Sequence, residues 1–471
     1  TAEKSRIDCR HIDVLDGIRA VSVIIVLIFH FWQQTWIFPV IKTPWLAFVG
    51  ITKIDFSNFA TVGYLFVDMM VLISGFLLFL PLMRSIILGE EMSSWKNYAR
   101  RRIARIVPSY YFAVLLLFFA SALPTGAYAT TADALKDLFA HLTFTQTLWV
   151  NTYIATPLDV VLWTVAIEVW FYVLFPFVAE FIKGPRNKNR QSFTPAYGIF
   201  FIFAVFNIIN YVYTENFVLK GNVYLAMRIN QFPAFLGVYS IGMLGASAFV
   251  LIAKNCRRSR IFNAVNTLFS VCSILLIVYL INDCVATQER QVTERSKLAF
   301  VFMTFIITTA LSSKWYRWLF SNKFMRFLSG ISYNLYIWHQ WLAVQCKNTW
   351  RIPKWSGEIP PNMLNITYWM NRYAVVITVF AFAAAILATY LIEKPFANLI
   401  MGRPVFPLFA KKHLKTANSA DEECISEEES APLSAEVDSF ADTVDSDEPT
   451  EEAAANPWGE QETDRNDSDC D

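Results

Sequence analysis

Ten apolar runs, most of them long enough to cross a bilayer, constrain this chain more than any other feature. They fall at about 14–35, 60–83, 105–123, 159–182, 196–214, 231–253, 263–282, 297–312, 325–345 and 372–392, the eighth being the shortest. A spanning helix needs about 20 mostly apolar residues. In lipid the backbone must satisfy its own hydrogen bonds, which leaves helices or closed barrels. Runs of this length read as helices. Composition agrees, since hydrophobic residues make up 55% of 471 and Phe alone numbers 41, well beyond soluble usage. The expected fold class is all-α, a polytopic transmembrane helical bundle of about ten helices. The lipid bilayer is its first partner, and no nucleic-acid partner is expected.

Orientation follows from where Lys and Arg collect. The connections 84–104, 183–195, 254–262 and 313–324 hold Arg100-Arg101-Arg102, Lys183/Arg186/Lys188/Arg190, Lys254/Arg257/Arg258/Arg260 and Lys314/Arg317/Lys323. The segment 124–158 has only Lys136. Basic short loops stay in the cytoplasm, so a multi-pass protein of the cell membrane with both termini cytoplasmic is expected. The segment 346–371, with Lys347, Arg351 and Lys354, is an exception on the outer side. The first apolar run is too long, and lacks the small-residue site, for a cleavable leader.

Near residue 413 the chain changes character. From Thr416 to Asp471 there are twenty Asp and Glu against one basic residue, Arg465, so this stretch carries −19 while residues 1–415 carry +20. Such a segment buries too little apolar surface to fold. The expected organisation is a cytoplasmic N-terminal segment 1–13, a transmembrane domain 14–400, a basic juxtamembrane segment 401–415 and a disordered acidic cytoplasmic tail 416–471. The tail reads as a solubilising segment rather than a competitor for the basic face. The seven cysteines include no Cys-x-x-Cys spacing, so no metal or redox site is expected. Cys284 and Cys346 fall near the outer surface, where a disulfide between them is conceivable. Asn365-Ile366-Thr367 is a glycosylation acceptor only in a eukaryotic source.

Within the first run, Arg19 and His30 stand eleven residues apart. At 100° per residue the two side chains end about 20° past three full turns and share one helix face, about 16 Å apart along the axis. Ionisable groups in a spanning helix are costly and mark functional sites. His30, Asp68, Glu168 and His339 are expected at a common level in the outer half, the carboxylates some 12–14 Å below the outer boundary by the helical rise. The cations gather at the opposite end: Arg19, then Arg100, Arg101, Arg102 and Arg105 just ahead of Pro108, which is expected in a first helical turn. Arginine forks suit phosphate oxygens, so a phosphate-bearing cytosolic molecule is the natural occupant. Arg100–Arg102 read equally well as a positive-inside anchor, whereas Arg19 and Arg105 lie within apolar sequence and read better as ligand-binding.

Six motifs in order carry a family resemblance. They are Leu15-Asp16-Gly17-Ile18-Arg19-Ala20 with His30, Phe66-Val67-Asp68 through Ser74-Gly75-Phe76-Leu77, Arg101-Arg102-Ile103-Ala104-Arg105-Ile106-Val107-Pro108-Ser109-Tyr110-Tyr111, Leu162-Trp163-Thr164-Val165-Ala166-Ile167-Glu168, Ile331-Ser332-Tyr333-Asn334-Leu335-Tyr336-Ile337-Trp338-His339 and Ile392-Glu393-Lys394-Pro395-Phe396. Over residues 13 to about 400 the chain resembles the acyltransferase-3 family. The resemblance implies a ten-helix membrane O-acyltransferase, acetyltransferase-like. It would take an acyl group, usually acetyl from cytosolic acetyl-CoA, to a hydroxyl of a cell-surface or exported carbohydrate or lipid-linked acceptor. No permanently bound cofactor is implied; acetyl-CoA or another acyl-CoA is the donor substrate. Arg19 and His30 match the family's Arg-x10-His signature, and the resemblance gives His30 the acid/base role and Arg19 and Arg105 donor-side roles; Arg101 and Arg102 are further candidates for donor binding. Met69-Met70, Val169 and Trp341 after Gln340 depart from the usual pattern and bear on substrate detail.

The chemistry fits the residues. Moving an acyl group from a thioester to an alcohol needs a base, and an imidazole with its ordinary pKa of about 6.5 suits that work. Asp68 or Glu168 is expected to orient His30 as the third member of a triad, with an acyl-His30 intermediate as the other possibility. Each residue also has a structural reading: Asp68 and Glu168 as buried partners of other helices, Ser74-Gly75 as a packing site, which is preferred for them, and His339 as a structural hydrogen bonder or a catalytic group. Glu393-Lys394-Pro395 is expected to stop the tenth helix. His, Asp and Glu at one level also describe a proton-coupled transporter or exporter, but the intramembrane charges crowd into residues 16–168 with little echo in the second half. A non-catalytic sensor acting through its tail is the third class.

Overall fold

The computed structural model describes residues 7–50, 52–184, 195–220, 225–285 and 288–405. The acidic tail 416–471, residues 406–415 of the basic segment and residues 1–6 lie outside the described residues. Among the described residues there are ten helices of 19 residues or more: α1 Val14–Thr35, α2 Phe66–Leu88, α3 Trp95–Leu117, α4 Trp163–Lys183, α5 Pro195–Tyr213, α6 Phe232–Asn255, α7 Arg260–Cys284, α8 Gln288–Leu311, α9 Lys323–Asn348 and α10 Thr367–Ala388. They coincide with the ten apolar runs. By length and apolarity, eight spans qualify alone, and Val292–Leu311 with Lys314–Asn348 qualify as a pair bent by 116°. The outward faces carry large apolar side chains such as Phe177 at 71% and Leu275 at 65% exposure, which belong against lipid.

Helix starts sit where short polar residues can take the unpaired first-turn N–H groups. Ser94 caps α3 by accepting from the N–H of Asn97 at 3.4 Å, Ser259 caps α7 through Phe262 at 3.1 Å, and Asn322 caps α9 through Met325 at 3.0 Å. Two sequence expectations change here. Helix α3 begins at Trp95, so Arg100–Arg102 are helical and Pro108 is interior rather than in a first turn. Glu393-Lys394-Pro395 does not end the chain's last helix: a wide turn over Thr389–Glu393 leads into a further helix, Lys394–Met401, with Pro395 in its first turn, where a proline needs no N–H.

Small residues set the closest approaches, as expected where lipid supplies no hydrophobic drive between helices. A Cβ on Gly75 of α2 would lie 2.8 Å from the Tyr239 carbonyl oxygen, and one on Gly242 of α6 would lie 2.6 Å from that of Leu72. The packing role read for Gly75 is thereby seen directly. Gly17 lets α1 meet the short helix Lys314–Ser321, where a Cβ would fall 2.0 Å from the carbonyl oxygen of Phe320. Between α1 and α2, β1 Val40–Lys42 and β2 Lys53–Asp55 form an antiparallel hairpin, Ile41 opposite Ile54. Between α3 and α4 a helix Thr131–Leu142 is held by buried Asp137, which accepts from Tyr128 and Thr156 hydroxyls at 2.8 Å each and meets His141 at 3.1 Å. Cys284 and Cys346 are not joined. Cys284 lies near Tyr64 and Cys346 near Tyr373, against different helices.

Candidate functional site

The helical period that puts Arg19 and His30 on one face of α1 aims that face into the bundle. Arg19 lines a cavity of about 90 Å³, shared with Ser74 of α2, Arg102 and Arg105 of α3, Glu168 and Tyr172 of α4 and Tyr333 of α9. Arg102 and Arg105 are three apart and share a helix side. Arg101, rotated 100° from Arg102, is exposed and does not line the cavity. Arg100 is tied down elsewhere, its Nε donating to the carbonyl of Ile400 at 2.7 Å. Arg102 stacks on Tyr172 at 5.0 Å and on Tyr98 at 5.6 Å, a contact that holds a guanidinium without neutralising it. Its buried Nε has no hydrogen-bond partner. Three guanidinium groups around one small space, one of them with an unused donor, make an anion-receiving chamber.

Glu168 belongs to this chamber. Its carboxylate accepts from the hydroxyl of Ser74 at 3.2 Å and from that of Tyr172, one turn further along α4. It also lies in the field of Arg19 and Arg105. Ser74 is therefore more than packing material: Gly75 makes the close crossing and Ser74 faces the chamber.

Asp68 lies elsewhere. It is buried, and the Nε of Arg295 donates to its Oδ2 at 3.0 Å. The same guanidinium donates to the carbonyls of Ile229 and Ala234 at 3.2 and 3.3 Å and covers the Phe235 ring at 4.4 Å. The expected common level of Asp68 and Glu168 does not hold, because Glu168 bonds to Ser74, six residues and about 9 Å further along α2 than Asp68. Neither carboxylate bonds to His30. The partner of His30 is Gln33, whose Oε1 is 3.0 Å from Nδ1.

His339 is the residue that does meet His30, with ring centroids 5.0 Å apart. It is 1% exposed, and its Nδ1 lies 2.7 Å from the carbonyl oxygen of Tyr336 and 3.1 Å from that of Leu335. The motif around it ties α9 into the bundle: Tyr333 donates to the Ile106 carbonyl at 3.1 Å, Asn334 donates to Thr389 and Glu393 at 2.9 and 2.6 Å, and Ser329 donates to Asp16 at 3.2 Å. The chamber reaches Val23 of α1, Val67 of α2 and Tyr336 of α9, one turn from His339, and does not include His30. Val23 and His30 are about 10 Å apart along α1. Met70 lines the chamber, whereas Met69 is buried beside it and accepts from Ser22 at 3.0 Å.

Gln33 and Tyr172 were legible in principle, since each is one turn from its partner. Arg295 was not: it is 227 residues from Asp68, in a polar stretch that reads as an ordinary loop.

A family model described as an acyltransferase domain matches residues 12–394. Among characterised and provisionally named proteins, the chain is 25% identical over 254 residues to an Acidianus two-tailed virus protein provisionally named an acetyltransferase, covering 52% of this chain and 65% of that protein. It is 26% identical over 353 residues to a Staphylococcus aureus (strain COL) protein provisionally named an O-acetyltransferase, covering 70% of this chain and 50% of that one. It is 24% identical over 352 residues to the Listeria monocytogenes peptidoglycan O-acetyltransferase OatA, covering 71% and 50%. The chain thus spans half to two thirds of the length of these relatives. No solved structure matches.

Proposed function

Because the chain belongs to the acyltransferase-3 family and has many helices long and apolar enough to cross a membrane, we propose that it is a membrane O-acetyltransferase, as the names of its relatives suggest, and that it moves an acetyl group from cytosolic acetyl-CoA to a hydroxyl of a cell-surface or exported carbohydrate or lipid-linked acceptor. One observation carries this reading: a single face of α1 presents Arg19 to a guanidinium-lined chamber and His30 to a second imidazole nearer the other end of the helix. Guanidinium forks favour the phosphates of the donor. The basic connections support a cytoplasmic location for that end and for both termini. The name of the Listeria relative supports a cell-wall glycan as the acceptor class.

In this mechanism Arg102 and Arg105 hold donor phosphates, and Arg19 lies further along the thioester arm. Glu168, held by Ser74 and Tyr172, balances the cations and keeps them in place. Met70, which lines the chamber, is flexible enough to repack around an inserted arm between chamber and His30. His30, its Nδ1 fixed by Gln33, takes the acceptor hydroxyl proton on Nε2. The oxygen attacks the thioester carbonyl, a C–O bond forms as the C–S bond breaks, and the proton passes to the departing thiolate. Asp68, engaged by Arg295, acts in folding, and the orienting role expected of it falls to Gln33.

The test is acetyl transfer in membranes carrying the full chain, with radiolabelled acetyl-CoA and the label counted in extracted glycans. His30→Ala should lower the rate by about 10²-fold or more, the usual worth of a positioned base. Full transfer by that variant would overturn the assignment.

A further inference from the structure

The two imidazoles can be assigned hydrogens from their neighbours. On His339, Nδ1 faces two carbonyl oxygens at 2.7 and 3.1 Å. Carbonyls only accept, so Nδ1 carries the hydrogen and a neutral ring presents a lone pair at Nε2. That Nε2 is buried and has no hydrogen-bond partner in the protein. On His30, Nδ1 donates to the Oε1 of Gln33 at 3.0 Å, which leaves Nε2 as the accepting nitrogen there too. Two rings with centroids 5.0 Å apart therefore both require a donor, and a lone hydroxyl brings one hydrogen.

We propose that His339 is a second acceptor-binding residue: its Nε2 takes a hydrogen bond from one hydroxyl of the acceptor while His30 deprotonates the neighbouring one. The acceptor is then a compound with two adjacent free hydroxyls, as on a sugar ring. This rests on the acetyl-transfer reading above and narrows its substrate. Unpartnered buried donors and acceptors are rare in folded chains, and each calls for an explanation. Residues 338–341 point around the whole circumference of α9, so of the unpartnered buried groups there it is the Nε2 of His339, whose ring meets that of His30, that a ligand at His30 can reach. His339 itself changes no bond; the proton of the second hydroxyl stays on its oxygen.

The experiment compares cyclohexanol with cis-cyclohexane-1,2-diol as acceptors in membrane vesicles carrying the full chain and radiolabelled acetyl-CoA. The diol should show a kcat/KM about tenfold or more above that of cyclohexanol, because an orphaned buried acceptor weakens binding by at least about that factor. His339→Ala should lose most of this preference through a raised KM for the diol. His339→Gln, whose Oε1 also accepts, should keep part of it and guards against a folding defect in the alanine variant. Acetylation of both alcohols without preference in the unaltered protein, or equal slowing of both by His339→Ala, would overturn the role of His339 while leaving acetyl transfer intact. No acetylation of either, together with labelling of extracted glycans that His30→Ala leaves unchanged, would overturn the transfer reading and this one with it.

Discussion

Asp68 and Glu168 are both carboxylates on spanning helices, and only their neighbours tell them apart. Glu168 lines a cavity with three arginines and has two hydroxyls on it. Asp68 meets one guanidinium whose Nη1 donates to two backbone carbonyls. That closed arrangement makes Asp68 a stability residue. Removing one member of a buried pair strands the other at a cost of about 3–5 kcal/mol, whereas replacing both by apolar groups of similar volume is often neutral. Asp68→Ala should therefore lower the thermal unfolding midpoint of the detergent-solubilised protein, and Asp68→Leu combined with Arg295→Met should recover most of the loss. A single alanine variant as stable as the parent would remove this account. Sequence reasoning could name Asp68 as polar and buried. It could not choose its partner, because a contact across 227 residues leaves no local spacing to read.

At the level of elements, glycine shows how context decides the effect of one methyl group. Gly242 of α6 and Gly330 of α9 are both helical, yet a Cβ at the first would meet the Leu72 carbonyl oxygen at 2.6 Å while at the second it meets nothing within 4 Å. Gly242→Ala should force α2 and α6 apart and cost about 1–3 kcal/mol, the usual range for overpacking. Gly330→Ala should be neutral or stabilising by up to about 1 kcal/mol, since alanine is the better helix former. Thermal unfolding of the two variants side by side checks the sign; equal destabilisation would refute it. The helix count and caps such as Ser94 were legible because hydropathy and capping are local signals. Pro108 was misread because a proline tolerated inside a packed helix looks on paper like a boundary, and Pro395, read as a stop, instead opens a further short helix.

On the scale of the molecule the governing feature is polarity along the membrane normal. Arginines line the chamber at one end of α1, and the His30–His339 pair lies further along the same helix. A donor admitted at the arginine end should be usable from one face alone. Inverted vesicles, with the cytoplasmic face outward, should consume added radiolabelled acetyl-CoA, and right-side-out vesicles should consume at least about tenfold less, because a multiply charged donor does not cross the bilayer core. Equal consumption by sealed vesicles of both orientations would contradict the proposed sidedness.

The chain's sequence determined its membrane-spanning helical class, the spacing of Arg19 and His30 on one face and the ordered motifs of its family, because each is written in periodicity and short-range order. The tertiary structure decided which polar groups serve one another: Arg295 for Asp68, Ser74 and Tyr172 for Glu168, His339 beside His30. In a low-dielectric interior a buried polar group is settled by whichever partner comes within about 3 Å, and that choice depends on helix tilt and close crossings that no single stretch of sequence contains.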